Sequence, residues 1–128
     1  MRFLLDTHTL LWSFSASLSL SPPARRVIED SSNELFISAA SVWEIATKVR
    51  LGKLPTGEVL INDLQTYLAH LGINGLPISI PHALRAGSLP GEHRDPFDRM
   101  LISQAQIENL PIISNDRIFD QYHVRRIW

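Results

Sequence analysis

Cysteine is absent from this 128-residue chain, which removes disulfides, thiolate metal sites and a cysteine nucleophile together. Long apolar runs are absent too. Nothing approaches the roughly 20 uninterrupted apolar residues of a membrane span. Asp6 and His8 break the one signal-like stretch, MRFLLDTHTLLW, and no small-residue cleavage site follows it. Charge of one sign is not in excess: 12 Lys and Arg stand against 13 Asp and Glu, a formal net charge of −1. Global electrostatics therefore do not mark a nucleic-acid binder, and any nucleic-acid affinity must come from a local patch. No G-x-x-x-x-G-K-[ST] or G-x-G-x-x-G loop occurs, so ATP and dinucleotide cofactors have no support. The five histidines lack H-E-x-x-H or similar spacing, which argues against zinc. His93, in a polar loop, reads as a solvated or nucleic-acid-contacting side chain. These absences fit a cytoplasmic protein with no membrane part.

What remains is ordinary globular composition, 45% hydrophobic and 20% charged, enough for one core and far from the regime of disorder. One domain over residues 1–128 is expected, with no linker or internal repeat. Arg2 to Leu5 reads as a strand ending at Asp6, followed by a helix from His8 to Phe14. Ser21-Pro22-Pro23 opens a helix to about Glu29, and Leu35 to Ile37 is the next strand. Val42, Ile45, Ala46 and Val49 trace an amphipathic helix that stops near Gly52. Leu60, Leu64, Leu68 and Leu71 predict one further helix, closed by Gly72, and Leu76 to Ile80 a third strand. A short helix over 82–86 follows. Asp95-Pro96 then starts a helix running to Leu110, Pro111 to Ser114 is a strand, and a turn at Ile118 and Phe119 precedes a last strand near Val124 to Trp128. The alternation predicts an α/β fold with a mostly parallel sheet. Trp12 and Trp43 lie in helices among apolar neighbours and read as core or interface residues rather than base-stacking platforms.

In an open parallel sheet the C-terminal strand ends and the N-termini of the following helices share one edge, where ligands bind. Asp6 and Asp116 each follow a strand, while Glu44 and Asp98 fall in the first turns of helices that return to that edge. Clustered carboxylates repel one another unless a cation is present. An all-oxygen set suits Mg²⁺ or Mn²⁺, which can activate water for attack on phosphorus. Phosphodiester hydrolysis is the reaction class this suggests. Each acid has a local alternative. Ser41-x-x-Glu44 matches a capping box. Asp95 before Pro96 reads as an N-cap, with Asp98 as a charge facing the helix dipole. Asp116 suits the cap of the turn at Ile118, and Asp6 a turn at a strand end. These explanations account for the acids singly and leave their shared edge unexplained.

The segments LLDTHTLLW, SAASVWEIATKVRLGKL, HRDPFDRMLISQAQ and PIISND, in this order and spread over essentially the whole chain, resemble a PIN domain of the VapC type. The resemblance implies a three-layer α/β/α fold and Mg²⁺- or Mn²⁺-dependent endoribonuclease activity, acting as the toxin of a toxin–antitoxin pair neutralised by a VapB-type antitoxin. It places the family's acidic positions at Asp6, Glu44, Asp98 and Asp116, with Asp6, Asp98 and Asp116 toward metal. Thr7 and Ser114 stand as supporting residues, and Asp95 as the cap of its helix. A homodimer is expected, with Trp43 and Leu51 as exposed apolar candidates for the antitoxin surface. Three other readings share these residues: a phosphatase, a DNA nuclease, and a non-catalytic α/β binding module.

Overall fold

The computed structural model describes residues 1–128. Strand β1 (Arg2–Leu5) ends at Asp6, whose carboxylate caps helix α1 (Thr7–Phe14) by accepting from the Thr7 N–H. Ser21 caps α2 (Pro22–Glu29), with proline in its first turn. Strand β2 (Glu34–Ser38) runs directly into α3 (Ala39–Arg50), and α4 (Gly57–Asn62), α5 (Leu64–Leu71) and β3 (Ile73–Leu76) follow. The chain continues through α6 (Ile80–Ser88), α7 (Pro96–Glu108), β4 (Ile112–Ile113), a 3₁₀ turn (Arg117–Tyr122) and β5 (Arg126–Ile127).

The sheet has the order β3-β2-β1-β4-β5, and every pairing in it is parallel. Side chains alternate across it. Phe3, Leu5, Leu35, Ile37 and Ile113 enter a core shared with Leu10, Ala24, Ile45 and Leu60 of α1 to α4. Leu4 and Ile112 point the other way, into a second core with Leu101, Ile102 and Ala105 of α7 and Phe119 of the 3₁₀ turn. Helices thus cover both faces, giving the three-layer α/β/α arrangement with a parallel sheet. The strand order reverses between β1 and β4, so their C-terminal ends form the crevice at which open α/β sheets bind ligands.

Four local expectations differ from the structure. The third strand is Ile73–Leu76, not Leu76 to Ile80. The apolar residues after Leu76 lead instead into α6, where the Ser79 hydroxyl accepts from the His82 N–H and His82 Nδ1 accepts from the Ser79 N–H, a reciprocal cap. The short helix expected over 82–86 is accordingly the longer Ile80–Ser88. The leucine series from Leu60 to Leu71 is two helices, interrupted at Asp63. Finally, α3 starts earlier than its apolar periodicity suggests: Ser38 is the N-cap, accepting from the Ala40 N–H. Glu44 therefore lies in the second turn and the Ser41–Glu44 capping box does not form. Ser41 is buried instead, against Thr7.

Candidate active site

The crevice beyond β1 and β4 is a cleft of about 540 Å³. Its acidic lining is Asp6, Glu44, Asp95, Asp98 and Asp116; His8, Lys48 and Arg117 supply basic groups, and Trp12 is its one apolar side chain. All four acids expected to share this edge therefore do so. Asp95 joins them while also serving as the cap of α7, its Oδ1 accepting from the Phe97 and Asp98 N–H groups at 2.9 and 3.1 Å.

Asp6 is the most constrained of the set. Its Oδ1 accepts from the Thr7 N–H at 2.6 Å and its Oδ2 from the Ser114 hydroxyl at 2.6 Å. Ser114, fully buried, also accepts from the Asp116 N–H at 3.0 Å, so one hydroxyl ties the ends of β1 and β4 together. Thr9 adds a second tie by donating to the Ile113 carbonyl at 2.7 Å. Burial pushes the Asp6 carboxyl above its ordinary range, opposed by the hydrogen bonds from Ser114 and Thr7.

Glu44 is held from both ends. The Thr7 hydroxyl donates to its Oε1 at 2.8 Å, with Ser41 Oγ 2.9 Å from the same hydroxyl, and Lys48 forms an ion pair with its Oε2 one helical turn on. Hydrogen bonding to Glu44, reinforced by Asp95 and Asp98, holds the Lys48 ammonium above its ordinary pKa, so the lysine is fully charged in the cleft. Asp98 faces a different partner: His93 Nε2 donates to its Oδ2 at 2.9 Å. Burial raises the Asp98 carboxyl to about 6; His93 pulls it down, and Asp95 and Asp6 add repulsion. The loop that carries His93 is fastened by Arg99, which donates to the carbonyls of Ala86, His93 and Leu89 at 3.0, 3.0 and 2.6 Å.

Hydrogen bonding leaves one oxygen free on each of three acids: Oδ1 of Asp98, Oδ2 of Asp116 and Oδ2 of Asp95. No three His, Asp or Glu side chains converge tightly enough to cage a single ion. The donor set instead fits a hard cation that keeps most of its waters and is held through one or two carboxylates, as Mg²⁺ commonly is. Asp6 and Glu44 both have each oxygen engaged; Glu44 is in addition paired with the Lys48 ammonium, which makes it the acid least available as a ligand.

Sequence reasoning missed Lys48, Trp12 and Arg117 in the cleft lining, His93 against Asp98, and Arg99 behind the His93 loop. Lys48 was legible as the i+4 partner of Glu44. His93 and Arg99 depend on a loop fold that no periodicity encodes. Trp12 lies four residues after His8 on α1, and their rings stand 5.6 Å apart. That i,i+4 spacing was the only hint that Trp12 shares the cleft side of the helix, and Trp12 is thus both a core residue and a wall of the site.

Comparison with known proteins agrees with this architecture. The PIN-domain family pattern matches residues 3–124. Ribonuclease VapC16 of Mycobacterium tuberculosis is 39% identical over 59 residues, a stretch that spans 46% of this chain and 40% of that protein. Among solved structures, a chain of the Rickettsia felis VapBC2 complex bound to promoter DNA superposes with a TM-score of 0.70 at 16% identity, covering 98% of this chain and 97% of its own. A chain of FitAcB from Neisseria gonorrhoeae gives 0.63 at 22% identity, covering 98% and 96%. A chain of DNA-bound VapBC from Salmonella typhimurium gives 0.66 at 18% identity, with the same coverages of 98% and 96%.

Proposed function

This chain belongs to the PIN-domain family, and from that premise we propose that it is a Mg²⁺- or Mn²⁺-dependent endoribonuclease, the toxin of a toxin–antitoxin pair. The observation that carries the reading is the cleft at the β1/β4 switch point, lined by Asp6, Glu44, Asp95, Asp98 and Asp116. The local match to a protein named as a ribonuclease supports RNA as the substrate. In the hydrolysis, water adds to phosphorus, one P–O ester bond breaks and the leaving oxygen takes a proton.

Asp6, Asp98 and Asp116 would hold the cation, directly or through its waters. When bound, it supplies activation of the attacking water and screening of charge on the phosphate oxygens. The protein's own groups do the positioning. Ser114 and the Thr7 N–H fix the Asp6 carboxylate, and His93 fixes one oxygen of Asp98, leaving the other toward the cleft. Glu44, kept from the ligand set by Lys48 and Thr7, retains lone pairs with which to orient the attacking water and accept its proton.

The purified chain should cleave single-stranded RNA with Mg²⁺ or Mn²⁺, lose activity in excess EDTA and regain it when the metal is restored. Undiminished cleavage in chelator would refute the metal-dependent mechanism. The proposed partner is a VapB-type antitoxin, and the proposed assembly a cytoplasmic homodimer. The fold relatives are toxin–antitoxin complexes. On this chain Trp43 is 62% exposed although it packs edge-on to Phe97 at 5.0 Å, an apolar surface suited to a partner helix. Trp43→Ala should weaken antitoxin binding at least tenfold in a calorimetric titration and leave RNA cleavage intact; unchanged affinity would remove Trp43 from the interface.

A further inference from the structure

A cleft with this lining poses a binding problem for RNA. The substrate is a polyanion, the protein carries no net positive charge, and the site itself holds five carboxylates. Of its basic groups, Lys48 is committed to Glu44. Arg117 makes no hydrogen bond or ion pair with the protein and is exposed at the cleft. Arg117 and the exposed His8 are the only uncommitted basic groups, too few for the multiple phosphate contacts on which electrostatic binding depends. Affinity near the scissile bond needs a contribution that does not rely on net charge.

Trp12 has the properties of such a contribution. It is the one apolar side chain in the cleft wall, half-buried rather than covered. Its inner side packs on the core of α1 to α5, and its indole lies against His8 at 5.6 Å and Trp128 at 5.7 Å, so the ring is held in place before any ligand arrives. The indole N–H makes no hydrogen bond within the protein. A fixed, half-buried aromatic side chain lining the same cleft as a free guanidinium matches the way proteins take an unpaired base together with its phosphate. We propose that Trp12 and Arg117 form a nucleobase subsite, in which an unpaired base next to the scissile phosphate stacks on Trp12 and a flanking phosphate pairs with Arg117. The proposal rests on the ribonuclease reading and adds to it the side chains that hold the nucleotide beside the cut. Stacking tolerates any base, so the subsite supplies affinity and placement rather than a sequence code.

The test uses the wild-type enzyme, Mg²⁺ and a single-stranded RNA that it cleaves at one position, with an abasic nucleotide walked across the residues flanking the cut. Base removal at one position within two nucleotides of the cut should lower kcat/KM about tenfold or more. Trp12→Ala should show a comparable loss on intact RNA and no further loss on that abasic RNA, whereas Trp12→Phe should keep most of the wild-type rate. Arg117→Ala should reduce the slope of log KM against log salt by about one phosphate contact. If the wild type cleaves intact RNA but tolerates every abasic position, or if the Trp12→Ala and abasic losses simply add, the subsite is refuted and the ribonuclease reading stands. If the wild type cleaves no RNA with either metal, the ribonuclease reading falls and takes the subsite with it. The abasic walk alone requires no variant, so a folding defect in Trp12→Ala would not obscure the outcome.

Discussion

Asp95 and Asp98 lie three residues apart on the same helix start, yet the structure gives them different work. Asp95 accepts two backbone N–H groups through Oδ1, a task an asparagine oxygen performs nearly as well. Asp95→Asn should therefore stay folded and lose at most a few-fold in activity. Asp98 makes no capping contact and carries its charge beside Asp95 and Asp6. The Asp98→Asn substitution removes that charge without removing volume, and should abolish RNA cleavage and toxicity on expression while folding normally. Single-turnover cleavage alongside thermal melting decides the matter. Loss in Asp95→Asn with retained activity in Asp98→Asn would reverse the assignment, and retention in both would reduce the helix start to a cap.

At the scale of elements, what was legible depended on whether a segment's fate was decided locally. Proline at the start of α2 and α7, the serine and aspartate caps before them, and Gly72 in its left-handed conformation after α5 are chemical signals that act within a few residues. The acids at strand ends were legible for the same reason, since Asp6 and Asp116 each cap the turn that follows their strand. Strand β3 was misplaced because it is an edge strand whose residues Asn74 and Gly75 are exposed and whose pairing with β2 runs through the backbone. No side-chain pattern announces such a strand, whereas the more apolar Leu76 to Ile80 imitates one. The start of α3 was misread because Ser38 and Ser41 are both competent caps, and only the contact of Ser41 with Thr7, distant in sequence, decides between them. The reciprocal cap of α6 gives a test at this scale. Ser79→Ala removes the acceptor for the His82 N–H and should cost about 1 kcal/mol, read as a lower urea midpoint with unchanged slope. An unchanged midpoint would mean that the packing of α6 on α7 alone fixes the helix start.

For the molecule as a whole, a net charge of −1 conceals segregation, because five of the 13 acidic residues line one cleft. That concentration sets stability against function. Burial and neighbouring acids raise the Asp98 carboxyl from 3.8 to about 6 in the folded protein, so between those pH values the native state holds a proton that the unfolded chain has released. By linkage, this group destabilises the fold most above about pH 6, and the penalty shrinks as pH falls toward 3.8. Other groups also titrate over this range, so the informative quantity is the difference between two proteins. In EDTA at pH 7, Asp98→Asn should melt at a higher temperature than the wild type, and the gap should narrow as the pH is lowered to 5. Millimolar Mg²⁺ or Mn²⁺ at pH 7 should raise the wild-type melting temperature through preferential binding to the folded state, and shift Asp98→Asn much less. A gap that is constant with pH would show that Asp98 titrates normally in the folded cleft. An equal metal shift in both proteins would show that the cation is held without Asp98, and the carboxylate cluster would then have to be divided differently between ligands and positioning groups.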